Sequence, residues 1–117
     1  MKKNTKNLFN LKNKVIVITG GSGFLGSEFS FALSGMGAIP VILDQNEKSL
    51  KILEKKFIKN KRKSSFFLVN INNEKKVNET NNLIIKKYKK IDCLINATTS
   101  TMNGTIKSKS KFFEKFE

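Results

Sequence analysis

Between a β-branched run and an apolar helical pattern lie Thr19-Gly20-Gly21-Ser22-Gly23-Phe24-Leu25-Gly26. Two overlapping glycine frames fit this stretch, Gly21-x-Gly23-x-x-Gly26 and Gly20-x-x-Gly23-x-x-Gly26. Either suits a dinucleotide. One glycine permits the tight turn, the next lets backbone N–H groups approach a pyrophosphate, and Gly26 lets the helix pack close to the strand. The helix start then offers unpaired donors and a favourable dipole to the anion. Gly20, Ser22, Gly23, Phe24, Leu25 and Gly26 are therefore the expected contacts.

Asp44 ends the next apolar run, 18 residues after Gly26, where an acid can accept from both hydroxyls of an adenosine ribose. A 2′-phosphate at that point would meet a like charge, and the loop carries no Arg or Lys to offset it. The pattern predicts NAD in preference to NADP. No other chemistry competes for attention: there is no His, one Cys and no cluster of acids, so neither a metal site nor a catalytic group is predicted.

These residues need a scaffold, and the periodicity supplies one. Val15-Ile16-Val17-Ile18 reads as a strand buried on both faces. Leu25, Phe29, Ala32, Leu33 and Met36 recur at helical spacing and predict the inward face of a first helix, stopped by Gly35 and Gly37. Ile39 to Leu43 is a second strand, with Pro40 near its start, where a missing N–H is tolerated. Leu50, Leu53 and Phe57 mark a second helix, Phe66 to Val69 a third strand, and Val77, Ile84, Ile85 and Tyr88 a third helix. Ile91 to Ile95 makes a fourth strand, and beyond it only Phe112, Phe113 and Phe116 suggest a helical turn. The alternation predicts an α/β Rossmann-type parallel sheet of about four strands in the order 3-2-1-4. One unit is expected over residues 1–117, with its core at about 8–99 and an irregular tail at 100–117.

Composition bounds the partners. The net charge of +14 comes from 22 Lys and a single Arg, Arg62. Nucleic-acid readers lean on Arg for bidentate contacts, so solvated Lys-rich surfaces are expected, not a specific nucleic-acid site. No stretch approaches the roughly 20 apolar residues that cross a bilayer, and the basic leader Met1 to Asn7 lacks an apolar signal core. Cys93 lies in an apolar run, where a free Cys is usually a buried small hydrophobe. The expected compartment is the cytoplasm.

From about Leu8 to Thr99 the chain resembles the short-chain dehydrogenase/reductase family, most specifically in the glycine loop. The resemblance implies an adenine contact from Asn70 and Ile71, with Asn70 standing where the family usually has Asp. It also aligns Asn96-Ala97-Thr98-Thr99 with the family's Asn-Asn-Ala-Gly turn, which implies Asn96 and Ala97 near the cofactor. Asn96 has an equal claim to a structural role, tying neighbouring loops together. The family's acid–base chemistry uses a Tyr with a Lys four residues later. Here the only tyrosine, Tyr88, is followed at that spacing by Asp92 and is expected in the core.

Two readings follow. One is the NAD-binding portion of an oxidoreductase, truncated before its Tyr-x-x-x-Lys segment and inactive alone, which would pair with a complementary C-terminal half or self-associate through the edge of its fourth strand. The other is a non-catalytic nucleotide-binding or interaction module. A basic nucleic-acid-binding protein ranks below both.

Overall fold

The computed structural model describes residues 8–98. Its first strand, β1 (Val15–Thr19), is buried along its whole length, because it has a strand on either side and helices over both faces. After it come α1 (Phe24–Gly35), β2 (Ile39–Asp44), α2 (Glu47–Lys59), β3 (Ser65–Leu68), α3 (Glu74–Tyr88) and β4 (Cys93–Asn96). Every pairing is parallel and the order is β3-β2-β1-β4, the topology that the sequence predicts.

Right-handed crossovers fix the layers. The chain steps twice in one direction, from β1 to β2 to β3, and then back across the sheet to β4, so α1 and α2 cover one face and α3 the other. On the first face Ile42 packs with Leu50, Leu53 and Phe57. The fully buried Phe57 ring meets Phe31 and Phe66 edge-on, at centroid distances of 5.6 and 5.5 Å. On the second face Val15, Val17, Val41 and Leu43 pack under Ile84, with Phe67 and Tyr88 beside them. The Tyr88 hydroxyl lies 2.5 Å from Ser65 Oγ, so this residue is a satisfied member of the core.

Pro40 fits for a geometric reason. Ile39 donates its N–H to Lys14 of the strand lead-in, so the next residue in β2 faces the other neighbour. That neighbour, β3, begins only at Ser65, opposite Val41. Proline's missing donor costs nothing there.

The first helix corrects the apolar-face expectation. Its buried residues are Gly26, Ser30 and Ser34, whereas Leu25, Phe29, Ala32 and Met36 are exposed; of the predicted face only Leu33 reaches the core. The small residues win because they let the helix axis come close to the sheet. A Cβ on Gly26 would lie 2.2 Å from the Gly20 carbonyl oxygen. The buried hydroxyls remain satisfied within the helix, Ser30 donating to the Ser27 carbonyl at 3.0 Å and Ser34 to that of Phe31 at 2.6 Å. Close approach decides this interface, not apolar area.

Cys93 is also corrected. It is exposed, because among the described residues β4 has no strand on its outer side. The phenylalanines at 112, 113 and 116 lie outside the described residues. Among those described, no helix is long and apolar enough to cross a membrane.

Candidate functional site

The loop after β1 turns on Gly20, whose φ of +65° lies in the left-handed region that favours glycine. Its N–H bonds to the Leu43 carbonyl at 2.8 Å, which anchors the loop to β2. Gly23 then caps α1 with no side chain, and no acid occupies the first turn. The other two helices differ. Asn46 caps α2 and Asn73 caps α3 through side-chain oxygens, each with a Glu in the first turn. The leading N–H groups of α1 are thus left for an anion. These positions favour the frame Gly20-x-x-Gly23-x-x-Gly26. Gly21 is packed instead against Ile42 and Ile18, away from the loop's open side.

The loop faces an open cleft of about 650 Å³ across the carboxyl ends of the strands. Gly20, Gly23, Asp44, Asn70, Ile71 and Ala97 line it, six of the residues singled out in the sequence. Leu43, Gln45, Asn72 and Thr98 complete the lining. Of these, Gln45 had the clearest signal, since it follows the strand-end acid directly.

Asp44 stands opposite the glycine turn. Its Oδ2 accepts from the Ser22 N–H at 3.1 Å and its Oδ1 from the Asn46 N–H at 3.1 Å. Each carboxylate oxygen keeps a lone pair for a further donor. The Asn70 Oδ1 accepts from the Asn72 N–H at 3.0 Å, which leaves the amide nitrogen to offer hydrogens to the cleft. Ala97 donates to the Thr19 carbonyl at 3.0 Å, and its own carbonyl oxygen would lie 2.9 Å from a Cβ on Gly20. Larger residues at position 20 would therefore push the two loops apart.

Other singled-out residues lie elsewhere. The side chains of Phe24 and Leu25 are exposed and outside the cleft lining, so only their backbone donors belong to the loop. Ser22 is buried, with its hydroxyl turned 2.7 Å from that of Ser49 in α2. Gly26 is the packing contact described above. Asn96 Oδ1 accepts from the Thr19 hydroxyl at 3.1 Å, which ties the ends of β1 and β4 together. Asn96 lines a second groove of about 400 Å³, beside α3, floored by Val17 and Leu94.

A cleft at the carboxyl ends of a parallel sheet, entered by a glycine turn and an uncapped helix, has matches among known proteins. A family model described as short chain dehydrogenase matches residues 14–115. The chain belongs to the short chain dehydrogenase family. No curated protein matches it. Among solved structures, 2-keto-3-deoxy-D-gluconate dehydrogenase from Streptococcus agalactiae superposes with a TM-score of 0.77 at 23% identity, over 98% of this chain and 43% of that one. A Haemophilus influenza protein described as a D-mannonate oxidoreductase, with bound NAD, gives 0.74 at 26% identity, over 93% and 40%. An NAD+-bound xylitol dehydrogenase gives 0.70 at 22%, over 80% and 35%. The chain thus spans less than half the length of each of these structures.

Proposed function

We propose that this chain is the dinucleotide-holding portion of a nicotinamide-dependent oxidoreductase, and that it prefers NAD to NADP. One observation carries the reading: Asp44, with a lone pair free on each oxygen, stands across a single cleft from a glycine turn and an uncapped helix start. A pyrophosphate would rest on the N–H groups after Gly23, and the adenosine ribose hydroxyls would donate to Asp44. Asn70 and Ile71 would flank the base. A 2′-phosphate beside Asp44 would be repelled by about 4 kcal/mol at about 4 Å and an effective dielectric of about 20, before salt screening.

The bound cofactor would supply hydride chemistry, and this chain's own residues would bind and orient it. Within residues 1–117 the chain would bind without turnover, for a positional reason. Tyr88 bonds to Ser65, at the start of β3, whereas the cleft lies beyond that strand's far end. Tyr88 is thus too distant to exchange a proton beside a cofactor. This favours, as the second reading, a module that binds nucleotide and carries out no chemistry. The side of β4 that has no neighbouring strand among the described residues would take a complementary polypeptide or another copy of the chain.

Fluorescence titration of the chain with NADH and NADPH tests the assignment. NADH is expected to bind more tightly, and Asp44→Ala to narrow the gap. Gly23→Val should abolish binding with helix content retained, because its Cβ would already approach the Gly20 carbonyl oxygen to 3.2 Å. Equal affinities in the wild-type chain would remove the selective role from Asp44, and a folded Gly23→Val that binds normally would remove the cleft from consideration.

A further inference from the structure

Four residues close a ring of hydrogen bonds behind the cleft. Asp44 accepts from the Ser22 and Asn46 N–H groups through its two oxygens, both at 3.1 Å. The Asn46 side chain caps α2 by accepting from the Ser49 N–H, again at 3.1 Å. The Ser49 hydroxyl lies 3.2 Å from the Asn46 carbonyl oxygen and 2.7 Å from the Ser22 hydroxyl. The ring therefore runs from the glycine loop to the end of β2, on to the start of α2, and back to the loop.

Either hydroxyl can donate across the 2.7 Å contact; with the single Ser49 proton on the Asn46 carbonyl, which can only accept, Ser22 donates to Ser49. Ser22 is thereby held by its side chain on one flank and by its N–H on the other. We propose that Ser49, which does not line the cleft, is the positioning residue for cofactor selection: through Ser22 it pins the Asp44 carboxylate in one orientation.

This role of Ser49 rests on the reading of the cleft as a nucleotide site, and it gives selectivity a second cause. A carboxylate free to rotate could swing away from a 2′-phosphate and tolerate it. A carboxylate fixed by an N–H on each oxygen cannot, and it presents its two remaining lone pairs to vicinal hydroxyls. Discrimination between the two cofactors then depends on the pin as well as on the charge.

Ser49 is half-buried, so truncation leaves the core intact, and a threonine there keeps the hydroxyl. For Ser49→Ala in the 117-residue chain, loss of one neutral hydrogen bond predicts NADH binding weaker by about 3- to 10-fold. NADPH binding should hold steady or improve, so the ratio of the two affinities collapses. Ser49→Thr should restore the ratio. Ser22→Ala, which cuts the ring from the other side, should reproduce the Ser49→Ala pattern and serves if that variant fails to fold. Weakening of both cofactors by the same factor, or an unchanged ratio, would overturn the positioning role while leaving the nucleotide site standing. A wild-type chain that binds neither cofactor would remove both.

Discussion

Asp92 and Val15, 77 positions apart, exchange two hydrogen bonds: the Asp92 N–H donates to the Val15 carbonyl at 2.9 Å, and the Val15 N–H donates to Asp92 Oδ2 at 2.8 Å. The pair closes the lower end of the β1–β4 ladder. Lys90 reaches the same carboxylate at 2.8 Å and Lys14 stands at 3.8 Å. The Lys90 ammonium first, and the Val15 N–H second, hold the Asp92 carboxyl below its ordinary value.

Acid stability follows from that depression. A carboxyl whose folded pKa is lowered contributes stability above its unfolded value, about 3.9, and loses it as pH falls through the folded value. Asp92→Asn keeps an oxygen for Val15 but has no charge to lose. Acid titrations followed by circular dichroism should show wild-type stability falling more steeply than that of the variant below about pH 4. Parallel curves would mean that the pair contributes nothing to folding.

Arg62 serves the first helix from outside it. Its Nη1 donates to the Ser34 carbonyl at 3.1 Å, and its guanidinium stands 5.5 Å from the centre of the Phe31 ring. The last turn of α1 carries no basic residue of its own, so Arg62 provides the cation that the dipole favours. Arg62→Ala should cost about 1–2 kcal/mol in urea unfolding. Arg62→Lys should recover only part, because an ammonium lacks the planar fork.

The first helix should respond to substitution in the reverse of the usual order. Met36→Gln, on its apolar but exposed stripe, should change stability by no more than about 0.5 kcal/mol. Ser30→Leu, which adds apolar bulk to a fully buried position, should cost about 1–3 kcal/mol through overpacking. Denaturant midpoints of the two variants decide the matter, and a larger loss for Met36→Gln would contradict the packing.

The outer side of β4 gives a prediction about association. Leu94 is 57% exposed, and the strand's second neighbour is absent among the described residues. Unpaired edges of this kind recruit other chains. The charge of +14 opposes this at low salt, but screening limits its reach to about 10 Å at 0.1 M. Light scattering of the 117-residue chain should show dimers and larger species growing as salt rises, and Leu94→Lys should suppress them. A monomer at about 0.5 M salt would show that this edge is protected.

The sequence carried the sheet order, the glycine turn and Asp44 openly, since alternation, glycine and a strand-end acid are each local signals. The inward face of α1 was hidden by its chemistry. Phe29 and Met36 give the stronger hydrophobic period, while the true contact is a series of small residues at every fourth position, Gly26, Ser30 and Ser34. Exposure of Cys93 depends on which of the described strands lies at the edge of the sheet, and the tie between Ser22 and Ser49 joins residues 27 positions apart. Such pairings exist only once the topology is fixed. Arg62, read first for what it says about charge, proved to be a helix cap for the same reason.

The central place of β1 has a consequence during synthesis. Among the described strands it is made first, yet one of its two neighbours is made last, and the Val15–Asp92 tie must wait for 77 further residues. At about 5–20 residues per second this delay is roughly 4–15 s. Throughout it, β1 can pair on one side only, and its other edge stays open to chaperones. The cleft also needs Ala97 and Thr98 for its wall. On the ribosome, this cleft is therefore the last part of the described fold to close.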